Sequence, residues 1–341
     1  MTSRSPQPVV PVKELTLTPV LTLNGHKDFT RSISYFPDGK QIISGSDDKT
    51  TRRWDLEAGE EIVELRDVSK QEVRAVGVSR DGRWAVCARH DYNDGELKVY
   101  EVETETVRRF EESNSPIDCI DISWDSTLLA GGLHASSYKV QIWSLETGKP
   151  VAVPFNIPHK ASAVRFSQDS KKLAVQSNMG RHLAVWDVQL QKLDVCTRKP
   201  ANCYAAYAPV FWTTNDKTIV TAFSFTDTMI KTIYEFDAST LKTIGAPFEG
   251  HTETITGLAL SFDCALLASA SCDNTIKLWA FESRRILASF NVRSTACRLI
   301  LSPDSRQLVY TTQLNNNIYL CNTPPEIIAS IQPVPQVRVR S

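Results

Sequence analysis

The stretch from Gly250 to Ala280 contains residue types that zinc sites and thiol enzymes use. His251, Cys264, Cys272 and Asp273 together offer an imidazole, two thiols and a carboxylate. Zinc ligands usually come in closer pairs than these, and a thiol becomes reactive only in an electropositive setting or beside a base. We therefore interpret the stretch as structural, and we predict no metal site, no cofactor and no catalytic residue in it.

Composition and charge set wider limits on the class of protein. The 341 residues are 42% hydrophobic and 23% charged, with a formal net charge of −1. A chain of this length can bury a sizeable core without disulfides, and its eight cysteines are scattered singly, as reduced thiols are. No run approaches the roughly 18 apolar residues of a membrane span, and the N-terminus has no apolar signal core. These features predict a protein without membrane insertion, located in the cytoplasm or the nucleus.

An aspartate in a short polar turn recurs along the whole chain. Its steps are 43, 44, 44, 47, 47 and 41 residues, and its positions are Asp38, Asp81, Asp125, Asp169, Asp216, Asp263 and Asp304. The residues five before and four after each of these aspartates are apolar. Apolar residues that alternate on both sides of such a turn predict a β-hairpin with one buried face, which we call strands a and b.

Two further strands follow each hairpin. The third, strand c, ends in a large residue in six of the seven units, and the series is Trp54, Tyr100, Trp143, Trp186, Phe236, Trp279 and Cys321. The fourth, strand d, is visible in segments such as Thr243–Phe248 and Arg285–Phe290. Seven similar units of four short strands predict an all-β fold, a seven-bladed β-propeller with four-stranded antiparallel blades.

Two of the units carry a more specific signature. Gly25–Asp55 and Gly250–Ala280 both begin with Gly-His and have a tryptophan 28 residues after the histidine. They resemble full repeats of the WD40, or Trp-Asp, family, and the chain as a whole looks most like fungal WD-repeat proteins. The resemblance extends over about residues 20–331.

The resemblance implies a buried hydrogen-bonded tetrad in each of these two blades. Carried over residue by residue, it comprises His26, Ser44 or Ser46, Asp48 and Trp54 in blade 1, with Ser46 preferred. In blade 6 it comprises His251, Ser269 or Ser271, Asp273 and Trp279, with Ser271 preferred. The two cysteines then take ordinary positions of the repeat, because Cys272 corresponds to Asp47 and Cys264 to Gly39.

Several positions depart from the repeat. Arg53 and Glu235 stand where the other blades have apolar residues, and a buried charge requires a partner or a route to the blade edge. The loop at Asp91–Glu96 has the acidic character of a calcium site, but an Asp-Gly hairpin turn explains Asp94 and Gly95 better.

Function is expected on the loops rather than in the core. In proteins of this family the d–a and b–c loops gather around one mouth of the central channel, where partners usually dock. The candidate partner-binding residues on these loops are Phe29, Arg31, Arg74, Tyr92, His134, Tyr138, Arg181, His182, Tyr204, Tyr207 and Phe223.

We hypothesise a non-catalytic scaffold that binds proteins as a monomeric ring. The paired basic residues are spread over different blades, so no nucleic-acid partner is expected. The alternative is a small-ligand or ion-binding propeller, or an enzyme, that uses the central channel or the acidic loop of blade 2.

The chain termini are expected to lie outside the ring. We predict a disordered tail at 1–14, a propeller at 15–331 and a flexible tail at 332–341. Two segments compete to complete blade 7, Pro19–His26 and Glu326–Ile331, and we favour closure of the ring by the N-terminal strand.

Overall fold

The computed structural model describes residues 14–65, 71–90, 95–110, 115–134, 137–151, 153–177, 181–197, 209–226 and 229–331. The predicted candidates Tyr92, Tyr204 and Tyr207, and the predicted tails except Glu14, lie outside these residues. Within them the chain forms strands and one short helix, α1 (Pro325–Ile331), arranged as seven sheets. The predicted seven-bladed propeller is confirmed.

The first four blades take their strands in chain order. Blade 1 comprises β3 (Thr30–Tyr35), β4 (Gln41–Ser46), β5 (Thr51–Asp55) and β6 (Glu60–Leu65). Blade 2 comprises β7 (Glu72–Val78), β8 (Trp84–His90), β9 (Gly95–Glu101) and β10 (Thr106–Arg109). Blade 3 comprises β11 (Ile117–Ile122), β12 (Leu128–His134), β13 (Tyr138–Ser144) and β14 (Phe155–Asn156). Blade 4 comprises β15 (Ala161–Phe166), β16 (Lys172–Ser177), β17 (His182–Asp187) and β18 (Lys192–Cys196).

The last three blades include the strands from the N-terminal segment. Blade 5 comprises β19 (Val210–Trp212), β20 (Thr218–Ala222) and β21 (Ile233–Asp237). Blade 6 comprises β22 (Ile255–Leu260), β23 (Leu266–Ser271), β24 (Thr275–Ala280) and β25 (Arg285–Asn291), with β1 (Glu14–Thr16) added in parallel to β25. Blade 7 comprises β26 (Ala296–Leu301), β27 (Gln307–Thr312), β28 (Ile318–Asn322) and β2 (Leu21–Leu23).

Except at Asp216, whose carboxylate accepts from the backbone N–H groups of Gln168 and Asp169 in blade 4, the turn aspartates bond within their own a–b hairpins. The Asp263 carboxylate accepts hydrogen bonds from the Ser261 hydroxyl at 2.6 Å and from the backbone N–H of Ala265 at 3.0 Å. The residue after the aspartate has a positive φ, 69° at Gly39 and 56° at Cys264. An aspartate that bonds its own turn, followed by a left-handed residue, is the local reason why the hairpin recurs.

Blade 5 does not form the fourth strand that we predicted at Thr243–Phe248. Only two isolated bridges join this segment to β21, Ile233 with Phe248 and Phe236 with Thr243. Gly245 has a φ of 64° and Pro247 has no N–H to donate, so a continuous ladder cannot run through the segment.

The N-terminal segment closes the ring, as favoured from the sequence. Leu21, Thr22 and Leu23 of β2 pair antiparallel with Leu320, Tyr319 and Ile318 of β28. The competing segment at Glu326–Ile331 is not a strand but helix α1, because Pro325 is pre-organised for a helical first turn and β2 already occupies the edge. Ile327 of α1 is buried against the core between blades 6 and 7.

The core lies between neighbouring blades rather than inside any one of them. Trp54 packs with Val309, Ile318 and Leu320 of blade 7, and Trp279 packs with Val220 of blade 5. Each of these strand-c tryptophans therefore fills the gap to the preceding blade. In this arrangement each sheet buries its two apolar faces against its two neighbouring blades.

Among the described residues, no helix is long and apolar enough to cross a membrane.

Candidate functional site

A chain of hydrogen bonds in blade 6 links the loop before β22, β23, the turn after it and β24. The His251 Nδ1 donates to Asp273 Oδ2 at 2.8 Å, and its Nε2 lies 2.7 Å from the Ser269 hydroxyl. The Trp279 indole N–H donates to the same hydroxyl at 2.8 Å. With a neutral ring, this order of bonds places the imidazole proton on Nδ1, so that Nε2 accepts the serine proton.

Blade 1 contains the same network. His26 Nδ1 lies 2.9 Å from Asp48 Oδ2, its Nε2 lies 2.8 Å from the Ser44 hydroxyl, and the Trp54 indole N–H donates to Ser44 at 2.8 Å. The network has a fifth member that the sequence analysis missed. It is Thr50, whose hydroxyl donates to Asp48 at 2.6 Å. Its signal is a threonine two residues after the aspartate, and blade 6 repeats it at Thr275.

The prediction that Ser46 and Ser271 belong to the two tetrads was wrong. The Ser46 hydroxyl instead donates to the carbonyl of Asp28 at 2.9 Å and accepts from the Asp48 N–H at 3.1 Å. In blade 6 the Ser271 hydroxyl donates in the same way to the carbonyl of Glu253 at 3.0 Å. Both serines stand two residues nearer the b–c turn than Ser44 and Ser269, so they cap that turn and lie beyond the tryptophan N–H.

The loops between blades and the b–c turns lie at one end of the ring, which we call the upper face. Phe29 is 42% exposed there, and Arg31 beside it keeps 37% of its side chain exposed. Asp47 of the b–c turn binds the Arg31 Nε through both carboxylate oxygens, each at 2.8 Å. Arg74 of blade 2 lies 3.8 Å from Asp47 and 2.6 Å from Glu72, so one row of charges crosses the boundary between blades 1 and 2.

A second predicted group lies on blade 3. The rings of His134 and Tyr138 stack with their centroids 5.3 Å apart. The Nδ1 of His134 is 3.9 Å from Asp118, whose other oxygen is 2.9 Å from the Lys160 ammonium. The structure therefore brings His134 and Tyr138 together beside a buried carboxylate.

Two of the predicted contact residues, Phe223 and Arg181, are buried, and a third, His182, is half-buried. Phe223 is only 3% exposed, and it packs edge-on against Phe236 in the core between blades 4 and 5. Arg181 is also 3% exposed, and His182 is half-buried with its ring 6.2 Å from that of His159. Position in a b–c loop was a poor guide here, because a large side chain at a loop base can turn back into the gap between blades.

The innermost strands β3, β7, β11, β15, β19, β22 and β26 surround a central channel of about 560 Å³. Its wall includes an ion pair across blades 3 and 4, in which Arg165 donates to Asp121 at 3.0 Å. Among the residues that the structure describes, no group of three or more His, Cys, Asp or Glu side chains is placed to hold a metal ion. The acidic loop of blade 2 lies partly outside those residues.

The family model of the WD domain, G-beta repeat, matches residues 17–55 and 241–280, which include both networks. Both matched segments lie within the seven-bladed ring. The chain contains WD repeats.

Several curated WD-repeat relatives are distant in sequence. Eukaryotic translation initiation factor 3 subunit I of Culex quinquefasciatus is 23% identical over 56% of this chain and 59% of its own length. Periodic tryptophan protein 2 of Arabidopsis thaliana is 24% identical over 73% of this chain and 27% of its own length. Nuclear distribution protein PAC1 of Yarrowia lipolytica is 34% identical over 24% of this chain and 20% of its own length. The chain thus spans less than two thirds of each of these relatives.

The histidines of the two networks are buried, and we expect the networks to stabilise the ring. The side chains of His26 and His251 are 0% and 1% exposed. Burial by itself would raise the pKa of the Asp273 carboxyl, but hydrogen bonds from His251, Thr275 and the backbone together hold that pKa well below its usual range. The aspartate therefore stays ionised at neutral pH as the acceptor that orients the imidazole.

We expect the lowered pKa of Asp273 to appear in the acid unfolding of the WD-repeat ring. In the unfolded chain the Asp273 carboxyl takes up a proton near pH 4, and in the folded chain it does so only at lower pH. The stabilisation of the fold by the ionised carboxylate is therefore present above about pH 4 and is lost as the pH falls further. Urea midpoints measured from pH 7 to pH 3 should fall more steeply for the wild type than for Asp273→Asn. The expected difference is about 1 kcal/mol, because the carboxyl remains partly open to solvent. Parallel curves would contradict the assignment.

The two cysteines of the opening stretch are not activated. The Cys264 sulfur accepts a hydrogen bond from the backbone N–H of Thr214 in blade 5 at 3.3 Å, so it joins two blades. Burial raises the pKa of both the Cys264 and the Cys272 thiol above the ordinary value. A raised pKa lowers the fraction of thiolate at neutral pH, and the thiolate is the nucleophilic form of cysteine.

The two charged residues in apolar positions of the repeat have specific partners. Arg53 donates to the Gln41 side chain at 2.9 and 2.6 Å and lies over the Phe36 ring. Glu235 accepts from the Thr218 hydroxyl at 2.6 Å and from Arg284 of blade 6 at 2.5 Å. Glu235 therefore forms an ion pair between blades 5 and 6.

Proposed function

We propose that this WD-repeat protein is a non-catalytic scaffold that binds other proteins through its upper face. The observation that carries the proposal is the row Arg31, Asp47, Arg74 and Glu72, which runs beside the exposed ring of Phe29. Aromatic and arginine side chains are the residues that most often dominate the energy of protein interfaces.

The ion pairs hold the arginines in place before any partner arrives. Asp47 contacts both Arg31 and Arg74, and its own side chain is only 8% exposed, so it acts as a fixed anchor. An arginine already held in one orientation loses less conformational entropy when it binds. His134 and Tyr138 on blade 3 extend the same face with a stacked pair of rings.

The relatives support the same class of function. Two of them, from Culex quinquefasciatus and Bombyx mori, are by name subunits of a translation initiation factor, and so are parts of a larger assembly. We extend to this chain the general role of a component that contacts proteins, with the partner left open.

Affinity capture with quantitative mass spectrometry tests the proposal. Wild type, the double variant Phe29→Ser with Arg74→Ala, and the control Lys242→Ala are used as baits, since Lys242 lies on an exposed turn at the opposite end of the ring. We expect proteins recovered with wild type and control to be depleted about tenfold with the double variant, because two interface anchors are lost. Equal recovery with all three baits would overturn the assignment of the upper face.

A further inference from the structure

The opposite end of the channel carries a different set of side chains. The residue before each turn aspartate stands at the end of strand a, where the a–b turns surround the lower mouth of the channel. These seven residues are Pro37, Arg80, Trp124, Gln168, Asn215, Phe262 and Pro303. Four of them are apolar, and only Arg80 is charged.

Three of these side chains meet across the mouth. The rings of Trp124 in blade 3 and Phe262 in blade 6 stack with their centroids 5.5 Å apart and their planes 22° apart. The Arg80 guanidinium of blade 2 lies over the Trp124 ring and 4.9 Å from the Phe262 centroid. We call Arg80, Trp124 and Phe262 the aromatic cap.

The cation in the aromatic cap has no anionic partner among the described residues. Neighbouring arginines do have one: Arg83 binds Glu101 at 2.9 Å, and Arg165 binds Asp121 at 3.0 Å. Burial and then repulsion from Arg165 lower the pKa of Arg80 to about 10, against a smaller attraction to Asp121 that raises it. Arg165 already binds the Asp121 carboxylate, so Arg80 forms no ion pair of its own among the described residues.

The aromatic cap is nevertheless open to solvent on its outer side. Phe262 is 57% exposed, although its ring is large and apolar, and Arg80 is also exposed. An exposed aromatic ring stacked with another ring and an arginine presents a rigid apolar surface next to five N–H donors.

We propose that the aromatic cap binds a protein segment that carries one carboxylate beside a large apolar side chain. The carboxylate receives the paired N–H groups of Arg80, and the apolar side chain covers the exposed face of Phe262. This second interaction surface lies at the other end of the ring from the upper face.

The surroundings favour a peptide over a nucleic acid. The turn carboxylates of Asp81, Asp125 and Asp263 directly follow the three residues of the aromatic cap and are exposed. They would repel a polyanion, whose binding normally requires several phosphates to be neutralised. A single carboxylate bound to the N–H groups of Arg80 meets less of that repulsion than a chain of phosphates does.

Peptide selection followed by calorimetry tests the proposal. Random heptapeptides displayed on phage are panned against the wild-type protein after depletion on the double variant Arg80→Gln with Phe262→Ser. The best peptide, and a copy with its acidic residue changed to the amide, are then titrated into wild type, Arg80→Gln and the control Arg306→Gln. Arg306 lies on the same face, with 77% of its side chain exposed.

We expect selected peptides with an aspartate or glutamate next to a large apolar residue. Arg80→Gln should weaken the acidic peptide about tenfold or more and leave the amide peptide unchanged, while Arg306→Gln should have no effect. The proposal is overturned if no peptide is enriched, if enriched peptides lack an acidic residue, or if Arg80→Gln binds them as well as wild type. Loss of binding to a single-stranded DNA oligonucleotide in Arg80→Gln, without such peptides, would also overturn it in favour of a polyanion.

Discussion

Replacing Trp279 with alanine is expected to lower the free energy of unfolding by about 3–5 kcal/mol. The indole is 1% exposed and fills the gap between blades 5 and 6, so its removal leaves a cavity lined by residues of both blades. The change also removes the donor to Ser269, which links the tryptophan to His251. Urea unfolding followed by far-ultraviolet circular dichroism measures the effect.

Two matched variants separate packing from hydrogen bonding at this position. Trp279→Phe keeps a six-membered aromatic ring but loses the five-membered ring with its N–H, so it should cost about 1–3 kcal/mol, less than Trp279→Ala. Trp124→Ala, at the partly exposed lower mouth, should cost less than Trp279→Ala because it leaves no enclosed cavity. A Trp279→Ala midpoint equal to that of the wild type would show that the network does not stabilise the ring.

Arg284→Met is the second substitution for which we expect a large loss, about 3 kcal/mol. Arg284 and Glu235 are only 15% and 12% exposed, and their ion pair joins blades 5 and 6. Removing the arginine leaves the Glu235 carboxylate buried without a counter-charge. The resulting loss of folding free energy is greater than the loss of the attraction between the two charges alone. Urea midpoints of the purified variant measure it.

A compensating substitution makes this prediction sharper. Five of the six other blades have valine, isoleucine or leucine where Glu235 stands, and blade 1 has Arg53, so Glu235→Leu fits the repeat. The double variant Glu235→Leu with Arg284→Met should recover most of the stability, because no unpaired charge remains. If the double variant is no more stable than Arg284→Met, the loss comes from packing of the Arg284 guanidinium on the Phe248 ring rather than from an unpaired Glu235.

The two ends of the channel differ in the kind of contact that they offer. On the upper face the arginines are already held by carboxylates of the same chain, as with Arg31 and Asp47. At the lower mouth Arg80 lies on aromatic rings, and we propose that it binds a carboxylate of a partner. Variants at Arg74 and Arg80 therefore report on separate surfaces, and a partner lost by one substitution need not be lost by the other.

Features that depend on one hairpin could be predicted from the residues alone. The spacing of the aspartates and of the apolar residues reveals seven similar units, and a histidine 28 residues before a tryptophan marks the two blades with networks. The positions of Cys264 and Cys272 follow from the same register. These features are local, because a two-residue alternation and a tight turn fix which side chains share a face.

Other features required the assembled ring. Ser44 and Ser46 share one face of β4, and only the position of the Trp54 indole shows which of them it reaches. Phe223 is buried because residues of blade 4 such as Leu183 and Val185 pack against it. The aromatic cap unites residues from blades 2, 3 and 6, which are far apart along the chain. Contacts between separate blades depend on how the sheets pack around the axis, and no repeat pattern within one blade contains that information.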